Sequence, residues 1–145
     1  MQKLDFSLAP THWAICFQDE CPLKNTCLRY AIGHMAPATL THHSTVLPAA
    51  RRGDQCALFA TKEPVRMARG MKGLLTGVRT GDAQEMREQL FDIFGSRRQF
   101  YRYRNGEYEI TPRQQALVAQ LFRQYGYEHQ VAYDHESEQY YFPDE

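Results

Sequence analysis

The chain has 145 residues, of which 43% are hydrophobic and 23% charged, and its 17 basic side chains balance 17 acidic ones. This composition is typical of a globular protein and excludes a disordered or collagen-like chain. No apolar run approaches the roughly 20 residues needed to span a bilayer. Polar residues interrupt the N-terminus, whereas a signal peptide has a continuous apolar stretch there. We therefore expect a cytoplasmic protein without membrane association.

The first 61 residues predict a loop-rich region. A short helix is expected over residues 23–32, ending near Gly33, and a short strand over residues 56–60. Between them, residues 35–55 are rich in Ser, Thr, His and Pro, which favours loop structure.

Two helices are predicted next. Residues 63–78 carry Met67, Met71, Leu74 and Val78 at helical spacing, although two glycines weaken this pattern. The second helix begins at Asp82, with Glu85 completing a capping box, and it ends at Gly95. Its apolar stripe consists of Met86, Leu90, Ile93 and Phe94.

Residues 97–111 predict a β-hairpin that turns at Asn105-Gly106, the dipeptide preferred in type I′ turns. In this register Tyr101, Tyr103, Tyr108 and Ile110 face the next helix, whereas Arg102 and Arg104 face water opposite Glu109 and Glu107.

The last helix has a complete set of boundary signals. Thr111 is its expected cap, Pro112 its first residue and Gln114 the capping-box partner, and Gly126 ends it. Its expected core face is Leu117, Val118, Leu121, Phe122 and Tyr125. Residues 129–142 predict a second hairpin whose turn contains Asp134, His135 and Glu136.

These elements predict a single α+β domain over residues 1–145. Residues 1–61 form its cysteine-containing, loop-rich part, and residues 62–145 form a helix-helix-hairpin-helix-hairpin part. No internal repeat interrupts this order.

All four cysteines, Cys16, Cys21, Cys27 and Cys56, lie within one 41-residue stretch of the loop-rich part. Loops with few apolar residues need another source of stability, and zinc held by thiolates supplies about 10–16 kcal/mol in small peptides. A disulfide supplies about 2–4 kcal/mol and is disfavoured in the reducing cytosol. Although the spacing is wider than a Cys-x2-Cys knuckle, we predict that the four thiolates converge on one structural zinc ion.

Other uses of the four thiols remain open. An iron–sulfur cluster takes the same four ligands, and Pro22 directly after Cys21 is a feature of some cluster motifs. A disulfide or redox pair and four plain buried thiols are further alternatives. One of the histidines could replace a thiolate; the candidates are His12, His34, His42 and His43.

Several short motifs resemble an uncharacterised family of small bacterial proteins, a domain of unknown function with an N-terminal four-cysteine region. They are Cys-x4-Cys-Pro-x4-Cys-Leu-Arg, Gly-Asp-Gln-Cys, Arg-Met-Ala-Arg-Gly-Met, Phe-Tyr-Arg-Tyr-Arg-Asn-Gly and Thr-Pro-Arg-Gln-Gln. The resemblance extends from Cys16 to Phe142. It implies no activity, but it implies that the four cysteines and the later hairpin and helix belong to one domain.

Charge is segregated along the chain. Residues 51–104 carry twelve basic and six acidic side chains, whereas residues 105–145 carry two basic and eight acidic ones. Six basic residues of the middle segment predict one exposed surface for nucleic-acid phosphates or an acidic partner: Arg51, Arg52, Arg66, Arg69, Lys72 and Arg79. The alternative is that acidic residues of the tail already pair with them; the candidates are Glu128, Glu136, Glu138 and Asp144.

No nucleophile elbow, phosphate loop, dinucleotide fingerprint or Cys-x2-Cys redox pair is present, which favours a non-enzymatic protein. We therefore expect a zinc-stabilised interaction or regulatory module with a protein partner. The alternatives are a nucleic-acid-binding protein that uses residues 51–79, and an iron–sulfur redox or sensor protein.

Overall fold

The computed structural model describes residues 3–143, which form two compact units: residues 3–65 with 139–143, and residues 66–138. The described part of the chain contains four α-helices and two small sheets, so the predicted α+β class of a small single domain is confirmed. None of the helices within residues 3–143 is both long enough and apolar enough to cross a membrane.

The first unit consists largely of loops and 3-10 turns. Its helix, α1, is Leu28–His34, and a two-stranded hairpin joins β1 (Arg51–Arg52) to β2 (Gln55–Cys56). Gly53 in the hairpin turn has a φ of 64°, which glycine adopts without strain. The prediction of a short helix ending near Gly33 is thus confirmed. The predicted strand over residues 56–60 is wrong in extent, because only Cys56 of that segment is paired.

This unit has a small hydrophobic core of its own. Its buried members are Trp13, Ile15, Leu28, Ile32 and Ala60. The indole Nε1 of Trp13 donates a hydrogen bond to the carbonyl oxygen of Pro143 at 2.9 Å, and the ring of Phe142 packs edge-on against the indole. Burial of such side chains contributes about 1.5–3 kcal/mol each, so packing already helps to hold the loops.

The second unit combines helices with a three-stranded sheet. The helices are α2 (Thr80–Phe94), α3 (Arg97–Arg104) and α4 (Pro112–Gln124), and α2 packs against both of the others. The strands β3 (Val65–Arg69), β4 (Glu109–Ile110) and β5 (His135–Gln139) have the order β4-β3-β5, with Ala68 paired to Ile110. Side chains from all three helices, β3 and β4 form one core.

Two helix predictions for this unit are confirmed. The helix α4 has the complete predicted capping box between Thr111 and Gln114, and Val118, Leu121 and Phe122 are buried, whereas Leu117, predicted to belong to the same core face, is exposed. The helix α2 ends at Gly95, whose φ is 103°, and buries Met86, Leu90 and Phe94. Its predicted start is wrong: it begins at Thr80, and Asp82 instead accepts a hydrogen bond from the hydroxyl of Tyr127 at 2.6 Å.

The predicted helix over residues 63–78 is wrong. Residues Val65–Arg69 form the central strand β3, and residues 71–78 form a series of turns. Gly70 has a φ of 79°, which ends the strand and is incompatible with a helix. Met67 and Met71 are buried as expected, but from a strand and a turn.

The predicted hairpin at Asn105-Gly106 is also wrong. Residues Arg97–Arg104 form α3, capped by the Ser96 side chain, and Asn105 has a φ of −83° where a type I′ turn needs a positive value. Tyr101 and Tyr103 therefore reach the core from a helix. The expected pairing of Arg102 with Glu109 does not form, and Arg102 donates to the hydroxyl of Tyr108 instead.

The tail does not form the predicted second hairpin. It has one 3-10 turn (Glu128–Gln130) and one strand, β5, that pairs with β3. His135 and Glu136 lie in β5 rather than in a turn. The strand β5 pairs with an edge of β3, which is distant in sequence, and the local sequence does not reveal such a partner.

Candidate metal centre

The four cysteines line a single cavity in the first unit. All four are half-buried free thiols. The free space between the cavity walls is about 20 Å³, enough for one water molecule and therefore for one metal ion. The four cysteines predicted to converge, Cys16, Cys21, Cys27 and Cys56, thus border the same cavity, and their binding of a metal ion stays a prediction.

Backbone hydrogen bonds fix Cys16 and Cys27. Ile15, next to Cys16, bridges to Thr45, and the Cys16 amide donates to the carbonyl oxygen of Arg29 at 3.1 Å. Cys27 bridges to Thr61 and directly precedes α1. Both thiols are therefore attached to ordered backbone on either side of the cavity.

Gly33 lets α1 approach the extended segment that carries Cys16. A Cβ atom at this position would lie 2.5 Å from the carbonyl oxygen of Cys16, closer than any real contact. The glycine is required here for close packing of backbone on backbone. It therefore helps to set the position of the first cysteine.

Cys21 lies in a turn in which one backbone amide is directed at its sulfur. The Leu23 amide donates a hydrogen bond to Cys21 Sγ at 3.4 Å, and the Lys24 amide donates to the Cys21 carbonyl oxygen at 3.3 Å. A hydrogen bond from the backbone to the sulfur helps to orient a metal ligand.

Cys56 lies in β2 directly opposite Arg51 of β1. Both residues line the cavity. The Nε atom of Arg51 is buried, and it has no hydrogen-bond partner among the described residues. Arg51 was predicted to belong to a surface for nucleic acid, but its position associates it with the cysteines.

The cavity wall carries three cations, Lys24, Arg29 and Arg51, and no acidic side chain. Arg29 is only 2% exposed. Its Nε donates to the Leu58 carbonyl oxygen at 2.6 Å, and its guanidinium stacks on the Trp13 ring at 4.3 Å. Positive charge fixed at this depth favours anionic groups in the cavity, and thiolates are the groups available.

Sequence reasoning did not single out Arg29. One signal was present, because Arg29 shares the apolar side of a short helix with Leu28 and Ile32, three positions that are all buried. An arginine on a buried helix face needs acceptors or an anion nearby.

Burial raises the pKa of the Cys16 thiol above its usual value, and the negative charges of Cys27, Cys21 and Cys56 raise it further, while a backbone hydrogen bond at Gln18 opposes the rise. The other three cysteines are thus close enough to Cys16 to influence its ionisation. A divalent cation between them would reverse this repulsion.

In this structure the cysteine side chains are not arranged in the geometry of a metal site. In residues 3–143, no three His, Cys, Asp or Glu side chains are arranged so that they could hold a metal ion. Thiolates around a tetrahedral zinc ion lie about 3.8 Å from one another, because each Zn–S bond is about 2.3 Å long. Zinc would therefore have to draw these sulfur atoms together.

None of the four histidines considered as a replacement ligand lines the cavity in the described structure. His34 instead lies 3.5 Å from Asp19 and packs on the ring of Tyr30. His43 contacts the carbonyl oxygen of Ser44 through Nδ1. The four thiols are therefore the ligand set that the cavity offers.

The six basic residues predicted to form one surface divide between the two units. Arg51 and Arg52 belong to the first unit, and Arg66, Arg69, Lys72 and Arg79 to the second. The helical spacing assigned to Arg66 and Arg69 is wrong, since both lie in β3.

Two of these arginines have carboxylate partners. Arg66 lies 3.7 Å from Glu136. This contact agrees with the alternative prediction, in which acidic residues of the C-terminal tail pair with the basic residues. Arg69 lies 3.4 Å from Glu109 and also donates to the carbonyl oxygens of Gly106 and Glu107. Asp144, another predicted partner, lies outside the described residues.

Comparison with known proteins gives one match. The sequence model of a family of unknown function, DUF6078, matches residues 1–142, and the chain therefore belongs to this family. No curated protein and no solved structure matches the chain. The resemblance of its motifs to an uncharacterised family is confirmed.

Proposed function

We propose that this member of DUF6078 is a zinc-stabilised interaction or regulatory module, in which Cys16, Cys21, Cys27 and Cys56 bind one structural Zn²⁺ as thiolates. The observation that carries the proposal is that all four cysteines of the chain line one small cavity whose wall holds three cations and no carboxylate.

The charge of such a centre matches its surroundings. Zn²⁺ with four thiolates has a net charge of about −2, and burying that charge requires compensation. Lys24, Arg29 and Arg51 supply positive charge from the cavity wall. The Leu23 amide already donates to Cys21 Sγ, and the buried Nε of Arg51 has a hydrogen available for another sulfur. Hydrogen bonds of this kind hold metal ligands in place.

The role assigned to the zinc is structural. Four protein thiolates leave no coordination position for water or substrate, which is the arrangement of structural rather than catalytic zinc. Free thiols stay reduced in the cytoplasm, so the proposal places the protein in that compartment.

A protein is the partner that the surface supports best. Five large apolar side chains of the first unit are exposed: Phe17, Met35, Leu40, Leu47 and Phe59. Exposed apolar groups favour protein contacts over phosphate contacts. Leu47 is 68% exposed, and Phe59 also lines the cysteine cavity, so a partner bound there would depend on the order of the metal centre.

Metal analysis of the full chain, purified without chelator and without oxygen, tests the proposal. We expect one zinc ion per chain, a colourless solution, and loss of zinc when each cysteine is replaced by serine. His34→Ala is the matched control, because His34 lies outside the cavity, and it should retain zinc. Cobalt bound in place of zinc should give the visible absorption of a tetrahedral thiolate site.

Two outcomes contradict the proposal. A brown protein that contains iron and sulfide would replace zinc with the iron–sulfur alternative. A chain that purifies without metal, and whose unfolding temperature is the same with zinc as with chelator, would leave four ordinary thiols.

A further inference from the structure

The second unit contains a cavity of about 340 Å³, lined by the turn after β3, by α2 and by α3. Three cations reach it from these three elements: Lys72 from the turn, Arg87 from α2 and Arg104 from α3. The volume lies in the range of small-molecule sites. Sequence reasoning assigned Lys72 to a surface for nucleic acid or an acidic partner, placed Arg104 on the water-facing side of the predicted hairpin, and did not consider Arg87.

The positive charge of this cavity is not neutralised by described side chains. None of its lining residues is acidic. Within residues 3–143, the ion pairs to carboxylates involve other basic residues, and none includes Lys72, Arg87 or Arg104. The carboxylate of Asp134 contacts the turn, where it accepts a hydrogen bond from the backbone amide of Lys72 at 3.2 Å rather than forming an ion pair with the Lys72 ammonium. Three unneutralised cations around one cavity favour an anion with more than one charge.

The remaining walls supply hydrogen bonds and an apolar surface. Thr76 and Tyr101 carry hydroxyl groups, and the half-buried side chains of Leu75 and Tyr101 add apolar surface to the cavity wall. A site that binds free phosphate alone has no use for such a surface. The combination suits a ligand with a charged end and a ring or other apolar end.

The cavity is held in shape by the backbone. The Met71 amide donates to the carbonyl oxygen of Arg104 at 3.1 Å, which ties the turn to the end of α3. Ser96 caps the start of α3 through the Gln99 amide. The cations are thus carried on elements that are already positioned before a ligand arrives, which lowers the entropy cost of binding.

We propose that this cavity binds a small phosphate monoester that carries an aromatic or apolar group. The guanidinium groups of Arg87 and Arg104 and the ammonium of Lys72 bind the phosphate oxygens, and the hydroxyls of Thr76 and Tyr101 donate further hydrogen bonds. The apolar group packs on Leu75 and on the ring of Tyr101. This inference is independent of the zinc centre, because every residue it uses lies in the second unit.

Calorimetric titration of the full chain at constant ionic strength tests the inference. The probes are phenyl phosphate, inorganic phosphate, which lacks the ring, and benzoate, which replaces phosphate with a carboxylate. We expect phenyl phosphate to bind at least about tenfold more tightly than either of the others, since inorganic phosphate lacks the apolar group and the carboxylate of benzoate offers less charge and fewer oxygen atoms to the three cations.

Three charge-removing variants locate the binding. Lys72→Gln and Arg87→Gln should each weaken phenyl phosphate binding about tenfold. The matched control is Arg98→Gln, which removes the same charge from an exposed position of α3 outside the cavity and should bind as the unaltered chain does. Lys72 is exposed in a turn, so its variant tests the inference even if replacement of Arg87 impairs folding.

Absence of phenyl phosphate binding at millimolar concentration would overturn the inference. Equal weakening by Arg98→Gln and Lys72→Gln would do so as well, because the attraction would then be diffuse charge. Equal affinity for phenyl phosphate and inorganic phosphate would overturn the assigned role of Leu75 and Tyr101.

Discussion

Arg51 lies directly opposite Cys56 in the hairpin of β1 and β2, and both side chains line the cavity that holds the other three cysteines. The Nε–H of Arg51 is buried without a hydrogen-bond acceptor among the described residues. A buried donor without a partner costs about 1–3 kcal/mol, and a metal-bound thiolate is an acceptor that would remove this cost. Arg51 is therefore expected to support the metal centre rather than a nucleic-acid surface.

The first prediction follows from this pair. Arg51→Gln should lower the affinity for zinc about ten- to a hundredfold, the usual effect of losing a group that contacts metal ligands. Competition with a chromophoric chelator measures the affinity. Arg52→Gln is the control, since Arg52 is the exposed neighbour in the same strand and pairs with Gln55. If both variants bind zinc equally well, the role assigned to Arg51 is wrong.

The second prediction concerns the contact between Gly33 and Cys16. Gly33→Ala places a Cβ atom against the Cys16 carbonyl oxygen and should destabilise the chain by about 1–3 kcal/mol, the usual cost of overpacking. In an open helical position the same change stabilises by about 1 kcal/mol. Gly81→Ala in α2 is such a position, because nothing lies within 4 Å of the added atom.

Urea unfolding of the two alanine variants should therefore give changes of opposite sign. The Gly33 variant should also bind zinc more weakly, because Cys16 must shift. A Gly33 variant as stable as the Gly81 variant would show that the contact relaxes without cost.

The sequence predicted those elements whose determinants are local. The capping box of Thr111 and Gln114, the Gly95 end of α2 and the apolar stripes of α2 and α4 lie within a few residues of what they determine. That the four cysteines border one cavity was also predictable, since confinement to 41 residues of loop leaves them few ways to separate.

The failures share a different cause. The segment of β3 has apolar spacing that fits a helix, but pairing with β4 and β5 decides its structure, and both partners lie about 40 or more residues away in sequence. The segment of α3 contains Asn105-Gly106, the strongest hairpin signal, yet Ser96 three residues before Gln99 was an equally local sign of a helix start. The cations that surround the cysteines, Arg29 and Arg51, depend on the fold and could not be identified from spacing.

The third prediction concerns nucleic acid. Arg66 and Arg69 each lie within 4 Å of a carboxylate, and the chain is neutral overall, so we expect low-salt binding to mixed short RNA and DNA no stronger than that of a neutral control protein. Glu136→Gln releases Arg66 and should raise this binding. Glu88→Gln makes the same charge change at an exposed position of α2 and should have a smaller effect. Strong, salt-sensitive binding by the unaltered chain would instead support the basic segment as a nucleic-acid surface.

The fourth prediction compares two tyrosines of the second unit. The hydroxyl of Tyr133 is buried and has no hydrogen-bond partner among the described residues, whereas that of Tyr127 donates to Asp82 at 2.6 Å. Tyr133→Phe should therefore stabilise the chain by about 1 kcal/mol, and Tyr127→Phe should destabilise it by a similar amount. Chemical denaturation at neutral pH measures both changes. Destabilisation by both substitutions would indicate that water or another group already pairs with Tyr133.

The last prediction is the behaviour of Tyr133 at high pH. Burial raises the pKa of Tyr133 to about 12, and the negative charge of Glu136 adds to the rise, whereas an unfolded tyrosine ionises near pH 10. Above pH 10 the unfolded chain therefore loses this proton while the folded chain keeps it. The free energy of unfolding must then fall as the pH rises from about 10 towards 12.

The variant Tyr133→Phe has no hydroxyl to ionise at this position. The amount by which its free energy of unfolding exceeds that of the unaltered chain should therefore grow across that interval and stay constant between pH 7 and 9. Because the other tyrosines are present in both proteins, the difference between their two stability profiles isolates Tyr133. A difference that does not change with pH would mean that the hydroxyl reaches solvent in the folded protein.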